Sequence, residues 1–323
     1  MRRDRSLQWR LRLLMVMPVL LTACSTPSDL PRWFDAIHRT PLQSALVAGH
    51  RIVYLDAGTG PPVILVHGFG GSLWQWEYQQ PLAESHRLIT LDLLGSGLSD
   101  KPDVAYTPAH MVESFRAFMD AVHIPRASLV GNSMGAGLVL GMALTFPDRV
   151  DRIVLIDGFP DHVRDKLTSP LVHRALETSA PLWLVNMGNY FAGRGLTRRV
   201  LSEMVYDIDL LTPAVVDRSY RNRKRGGMIG PLLEMATHLQ EWEETFAMRL
   251  DQIQHRTLVI WGAQDKVFPP HVGRNLSATL PNAGFELIPE AGHIPMWERP
   301  DLVNPLLLKF LPPTHGYDIR TPS

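Results

Sequence analysis

The chain has 323 residues, 45% of them hydrophobic and 20% charged, enough to bury a sizeable core as one large domain or two modest ones. Lysine plus arginine and aspartate plus glutamate each number 32, so the formal net charge is zero and no broad pull towards nucleic acid is expected. With a single cysteine, no disulfide can form within the chain.

The N-terminus is unlike the rest. Arg2, Arg3, Arg5, Arg10 and Arg12 precede the apolar run Leu13 to Leu21, which is too short to span a bilayer as a stable helix. Residues 1–23 therefore read as a secretory signal. The sequence Leu21-Thr22-Ala23-Cys24 resembles the lipobox of bacterial lipoproteins, and that resemblance makes Cys24 the lipidated first residue of the mature chain. Several acyl chains anchor durably where one holds only weakly. Ser25 follows the cysteine, a feature that resembles outer-membrane sorting in the bacterial envelope. Residues 24–40 contain Pro and Ser and read as a tether.

Beyond the tether, apolar runs alternate with helical patterns, which predicts an α/β fold with a mostly parallel sheet covered by helices. Strands are expected at 51–55, 62–66, 88–91, 127–130 and 153–156. Thr107 and Pro108 give a cap and first residue for a helix whose Met111, Val112, Phe115, Phe118, Met119 and Val122 follow the spacing of one buried face. Gly135, Gly137 and Gly141 weaken the next helix, so it must lie close against something. From 159 to 250 no strand is evident and Met, Leu and Trp abound, so this block reads as a helical cap inserted into the core (41–158 and 251–313). Within it, Arg221 to Arg225 reads as a solvated helix face or loop, with contact to anionic lipid as the alternative. Strands return at 257–261 and 285–288, and residues 314–323 form a tail.

The pentapeptide Gly131-Asn132-Ser133-Met134-Gly135 places a serine between glycines, after a buried strand and before a helix. That context presents a nucleophile at a sharp corner. A serine hydroxyl needs a base, and the base needs an orienting acid. His293, in Glu290-Ala291-Gly292-His293-Ile294-Pro295, and Asp265, in Trp261-Gly262-Ala263-Gln264-Asp265, both follow strands. Strand ends of an open sheet share one edge, where ligands gather. Asp157, at the end of the 153–156 strand, is the rival acid. Backbone N–H groups of Met134 and of Phe69, in His67-Gly68-Phe69-Gly70-Gly71, could hold an oxyanion. His67 reads as a brace for that loop, Asp92 and Asp100 as turn residues, and Trp74, Trp76 and Met134 as core or acyl-pocket residues.

Together, HGFGG, the segment from Asp92 to Asp100, GNSMG, WGAQDKVFP and AGHIPMWERP resemble the α/β-hydrolases, in the family's order and over residues 45–311. Within that family the chain is similar to bacterial lipolytic esterases and to hydrolases of meta-cleavage products. The resemblance implies Ser133 as nucleophile, His293 as base and acid, Asp265 as orienting carboxylate, and Phe69 and Met134 as oxyanion donors. It implies a carboxylic ester as substrate, small-molecule or lipid, and no cofactor. C–C bond hydrolysis, thioester cleavage and perhydrolysis are alternatives, as is a ligand-binding envelope lipoprotein with little turnover. Serine at 133 argues against epoxide hydrolases and haloalkane dehalogenases, whose nucleophile is aspartate. No G-x-G-x-x-G opens a helix after a strand, and neither a Walker lysine nor H-E-x-x-H is present, so the sequence suggests no nucleotide or metal site.

Overall fold

The computed structural model describes residues 40–312. The signal, Cys24, nearly all of the tether and the tail lie outside them. Eight strands form one sheet: β1 (Gln43–Val47), β2 (His50–Ala57), β3 (Pro62–Val66), β4 (Arg87–Leu91), β5 (Ala127–Asn132), β6 (Val150–Ile156), β7 (Arg256–Gly262) and β8 (Ala283–Ile288). Their order is β1-β2-β4-β3-β5-β6-β7-β8. The first two pairings are antiparallel and the rest parallel, so the C-terminal ends of β3 to β8 share an edge. β1 has no counterpart among the sequence-predicted strands. It is an edge strand with mostly exposed side chains, so it carries no apolar run to betray it.

The central strands read as unbroken apolar runs because both faces of the sheet are covered. Successive side chains point to opposite faces. Ile64, Val66, Leu129, Ile153, Leu155 and Val259 join one hydrophobic cluster, and Val63, Leu65, Val130, Val154, Ile156 and Ile260 join the other.

Helices α1 (Pro108–Ala121) and α2 (Met134–Thr145) cover the first face. Thr107 caps α1 by accepting the His110 N–H at 3.2 Å, and the predicted apolar stripe is buried. The α2 glycines serve close approach. A Cβ on Gly135 would lie 2.4 Å from the Val66 carbonyl oxygen, and one on Gly141 2.6 Å from Val112. Between β6 and β7 the described chain is helical or irregular. Its main helices are α3 (Pro170–Leu176), α4 (Leu182–Phe191), α5 (Arg194–Met204), α6 (Pro213–Arg223), α7 (Ile229–Thr237) and α8 (Leu239–Thr245). Helix α9 (Pro270–Thr279) returns to the first face, while α10 (Pro300–Phe310) and the 3-10 turns of Leu73–Glu84 cover the second. Among the described residues, no helix is long and apolar enough to cross a membrane.

Candidate active site

β5 ends at Asn132, and the chain turns into α2 at Ser133. Ser133 has φ 53° and ψ −121°, a left-handed conformation costing about 1–3 kcal/mol for a residue with a Cβ. The turn is held by the Ser133 N–H donating to the Ile156 carbonyl at 3.0 Å. Asn132 Nδ2 donates to the carbonyls of Ile156 and His293, both at 3.1 Å. The serine corner is thereby fastened directly to the histidine loop, although the two are 160 residues apart in sequence.

Asp265 follows β7 and His293 follows β8. His293 Nδ1 lies 2.9 Å from Asp265 Oδ2, with both side chains buried. Asp265 Oδ1 accepts the N–H groups of Val267 (2.7 Å) and Phe268 (3.2 Å), so the carboxylate is oriented by its own loop. With Nδ1 facing Asp265, the other ring nitrogen is left for the cavity that His293 and Ser133 both line. Asp265, rather than Asp157, is therefore the histidine's partner.

Asp157 nevertheless belongs to the cluster. It is fully buried with φ 43°, and Oδ1 accepts the Gly262 N–H at 2.9 Å. Oδ2 accepts no hydrogen bond from the described residues, and the carboxyl lies against that of Asp265. Burial first, then the charge of Asp265, pushes its carboxyl well above the usual range. Ligand-type atoms of Asp157, Asp265 and His293 lie within 4.8 Å of one another. Most are already committed to the hydrogen bonds above, and a carboxyl kept protonated is a poor metal ligand.

The 67–71 loop abuts the serine: a Cβ on Gly68 would lie 3.1 Å from Ser133 Cβ. The Gly71 N–H donates to the Gly68 carbonyl at 3.0 Å, and Gln75 Oε1 accepts the Gly68 N–H at 3.2 Å. His67 is buried beneath. Its Nδ1 donates to the Gly68 carbonyl (2.8 Å), while Nε2 accepts the Leu93 N–H (3.1 Å). These partners define a neutral imidazole, in keeping with burial lowering its pKa. His67 is thus a brace, as its sequence context suggests. Phe69 and Met134 line the cavity beside Ser133. The Met134 N–H, first in α2, has no acceptor within its own helix.

The cavity measures about 420 Å³ and is mostly apolar, with Phe159, Leu171, Val200, Met228, Leu232 and Trp242 among its walls. Trp74 and Met134 line it, whereas Trp76 is wholly buried in the core. Thr197, Ser219, Asn222 and Arg223 supply a polar stretch. Asp92 and Asp100 serve turns, with Asp92 accepting the N–H groups of Leu73 and Leu98.

Two supporting carboxylates were not singled out from the sequence, although Glu298 lies within the AGHIPMWERP segment. Glu298 accepts the N–H groups of Gly292 (2.6 Å), Tyr206 (2.6 Å) and Asp207 (3.2 Å), joining the histidine loop to the end of α5. Glu77 pairs with Arg218 of α6 and accepts Trp297 Nε1 at 2.7 Å.

The chain belongs to the α/β-hydrolase fold family, whose pattern matches residues 61–300. It is 30% identical over 298 residues to the dihydrolipoyllysine-residue acetyltransferase component of the acetoin cleaving system of Cupriavidus necator, covering 90% of this chain and 74% of the relative. It is 29% identical over 278 residues to the 2-hydroxy-6-oxo-6-phenylhexa-2,4-dienoate hydrolase of Burkholderia cepacia, covering 82% and 92%. A meta-cleavage product hydrolase of Pseudomonas fluorescens IP01 superposes with a TM-score of 0.72 at 27% identity, covering 83% of this chain and 96% of that one. Fold and relatives place the chain among hydrolases.

Proposed function

We propose that the protein cleaves carboxylic esters through an acyl-enzyme on Ser133. His293, oriented by Asp265, takes the Ser133 proton as Oγ attacks the carbonyl carbon, then hands it to the departing alcohol. Phe69 and Met134 N–H groups steady the negative oxygen of the tetrahedral intermediate, and removing one such donor typically costs about a hundred- to a thousandfold in rate. Water activated by the same imidazole then releases the acid.

The observation that carries the reading is the buried Asp265–His293 hydrogen bond beside a serine held in a strained corner of the same cavity. The apolar walls favour an ester with an apolar acyl or alkyl group. C–C bond hydrolysis is the second reading, supported by the Burkholderia and Pseudomonas relatives. A dienoate carries a carboxylate, however, and Arg223, the cation lining this cavity, already donates to Thr197, Asn189, Ala192 and Gly193. That prior engagement favours the neutral ester.

A panel of p-nitrophenyl esters of increasing chain length, run beside a vinylogous diketone acid, separates the readings. Ester turnover that disappears in Ser133→Ala is the expected result. Turnover of the diketone alone would transfer the assignment to C–C hydrolysis.

A further inference from the structure

We propose that α4 is a docking element for an anionic lipid surface. Its sequence, Leu-Trp-Leu-Val-Asn-Met-Gly-Asn-Tyr-Phe, carries no charge, and none of its residues is buried. Trp183, Tyr190 and Phe191 are 67%, 76% and 78% exposed, and Leu182, Leu184 and Met187 are exposed beside them. A helix apolar on every side normally belongs inside a core. Here its packing is confined largely to α7, the helix that carries Ile229, Leu232 and Met235 into the cavity wall. An apolar patch of this kind marks an interaction surface.

The charges around it name the occupant. From Thr178 to Ser202 the sequence contains Arg194, Arg198 and Arg199 but no acid. Lys224 Nζ donates to the carbonyls of Asn189 and Tyr190 at the end of α4 and lies 5.8 Å from the Tyr190 ring centre. Arg223 donates to the next carbonyls, Ala192 (2.9 Å) and Gly193 (3.3 Å), and so fixes the end of α4 instead of serving as a headgroup cation. Arg194 and Arg221 flank the same region with well-exposed side chains that share one carboxylate, Asp217, so the pair keeps a net positive charge. Aromatic and aliphatic side chains bordered by cations match the layered chemistry of a bilayer surface, acyl boundary beneath and anionic headgroups at the rim. A second copy docking face to face through the same patch would oppose cation to cation. An acyl anchor at Cys24, the sequence-based proposal, would hold the protein near such a surface, since only 15 residues lie between Cys24 and Thr40. The docking surface is independent of the chemistry assigned to Ser133, so the two readings fail separately.

Hydrogen exchange of the full chain, read peptide by peptide with vesicles of phosphatidylcholine alone or mixed with phosphatidylglycerol, tests it. The local readout separates α4 from any binding through the N-terminus. We expect amides of residues 182–193 to slow by about tenfold or more on the anionic vesicles. Trp183→Ser with Phe191→Ser should abolish that protection while keeping the thermal midpoint. Unchanged exchange in 182–193 while the chain is vesicle-bound overturns the proposal. Equal protection on uncharged vesicles overturns the anionic assignment, and protection without vesicles that grows with protein concentration assigns the helix to a second copy.

Discussion

Replacing Glu77 by Gln should loosen α6 from the 3-10 turns of Leu73–Glu84. Glu77 comes from the turns beneath the sheet edge and Arg218 from α6, and their side chains are 2% and 7% exposed. Both terminal nitrogens of Arg218 donate to the carboxylate, at 2.6 and 2.8 Å, and Trp297 donates to it as well. The variant takes away the buried carboxylate charge that both terminal nitrogens face and turns an amide donor towards other donors. Breaking such a pair from one side costs about 3–5 kcal/mol. The Arg218 guanidinium also lies 4.6 Å from the Trp74 ring centre, a contact that survives and is worth up to about 2 kcal/mol when desolvated. We therefore expect the lower end, about 3 kcal/mol, in urea unfolding. Glu77 and Arg218 are in direct contact, so adding Arg218→Met should give a double variant that costs at least about 1 kcal/mol less than the sum of the single ones. A single-variant cost below about 1 kcal/mol, typical of an exposed pair, or strict additivity, would refute the reasoning.

Asp265→Asn removes the carboxylate that faces His293 Nδ1 and should lower kcat for an ester by about ten-thousandfold with a small change in KM; a loss under tenfold would show that Asp157 can replace it. Asp157 itself is raised by burial, so the folded protein keeps a proton that the unfolded chain releases near pH 4. Its stabilising contribution is complete below about pH 4 and is lost as pH rises towards the folded value. Asp157→Asn cannot titrate, so its thermal midpoint should gain on the wild type as pH rises above about 4, and a constant difference would contradict the raised carboxyl. For His67 the sign is opposite: burial lowers its pKa, so stability should fall as pH drops below about 6.5, and His67→Gln should flatten that slope in thermal unfolding.

Much of the site was legible because each part is local. The glycines around Ser133, the capping Thr107 and the apolar runs of β3, β5, β6 and β7 express backbone and burial requirements within a few residues. Asp265 and His293 could be joined to Ser133 because parallel strands bring their ends to one edge. β1 was not legible, since an exposed edge strand lacks a burial pattern. Nor were Glu77, Arg218 and Glu298. Glu77 meets Arg218 and Trp297 from 141 and 220 residues away and Glu298 meets Tyr206 from 92, and a glutamate reads like any surface charge until the fold removes its water. The cavity escaped too, because α3 to α8 reveal their apolar faces but not how they close over the sheet.

Covalent labelling tests the central claim most directly. The wild-type chain treated with a fluorophosphonate should gain one adduct by intact-mass spectrometry, mapped to Ser133, and Ser133→Ala should gain none. An unreactive wild type, or a Ser133→Ala chain that reacts equally, would contradict the serine-hydrolase account.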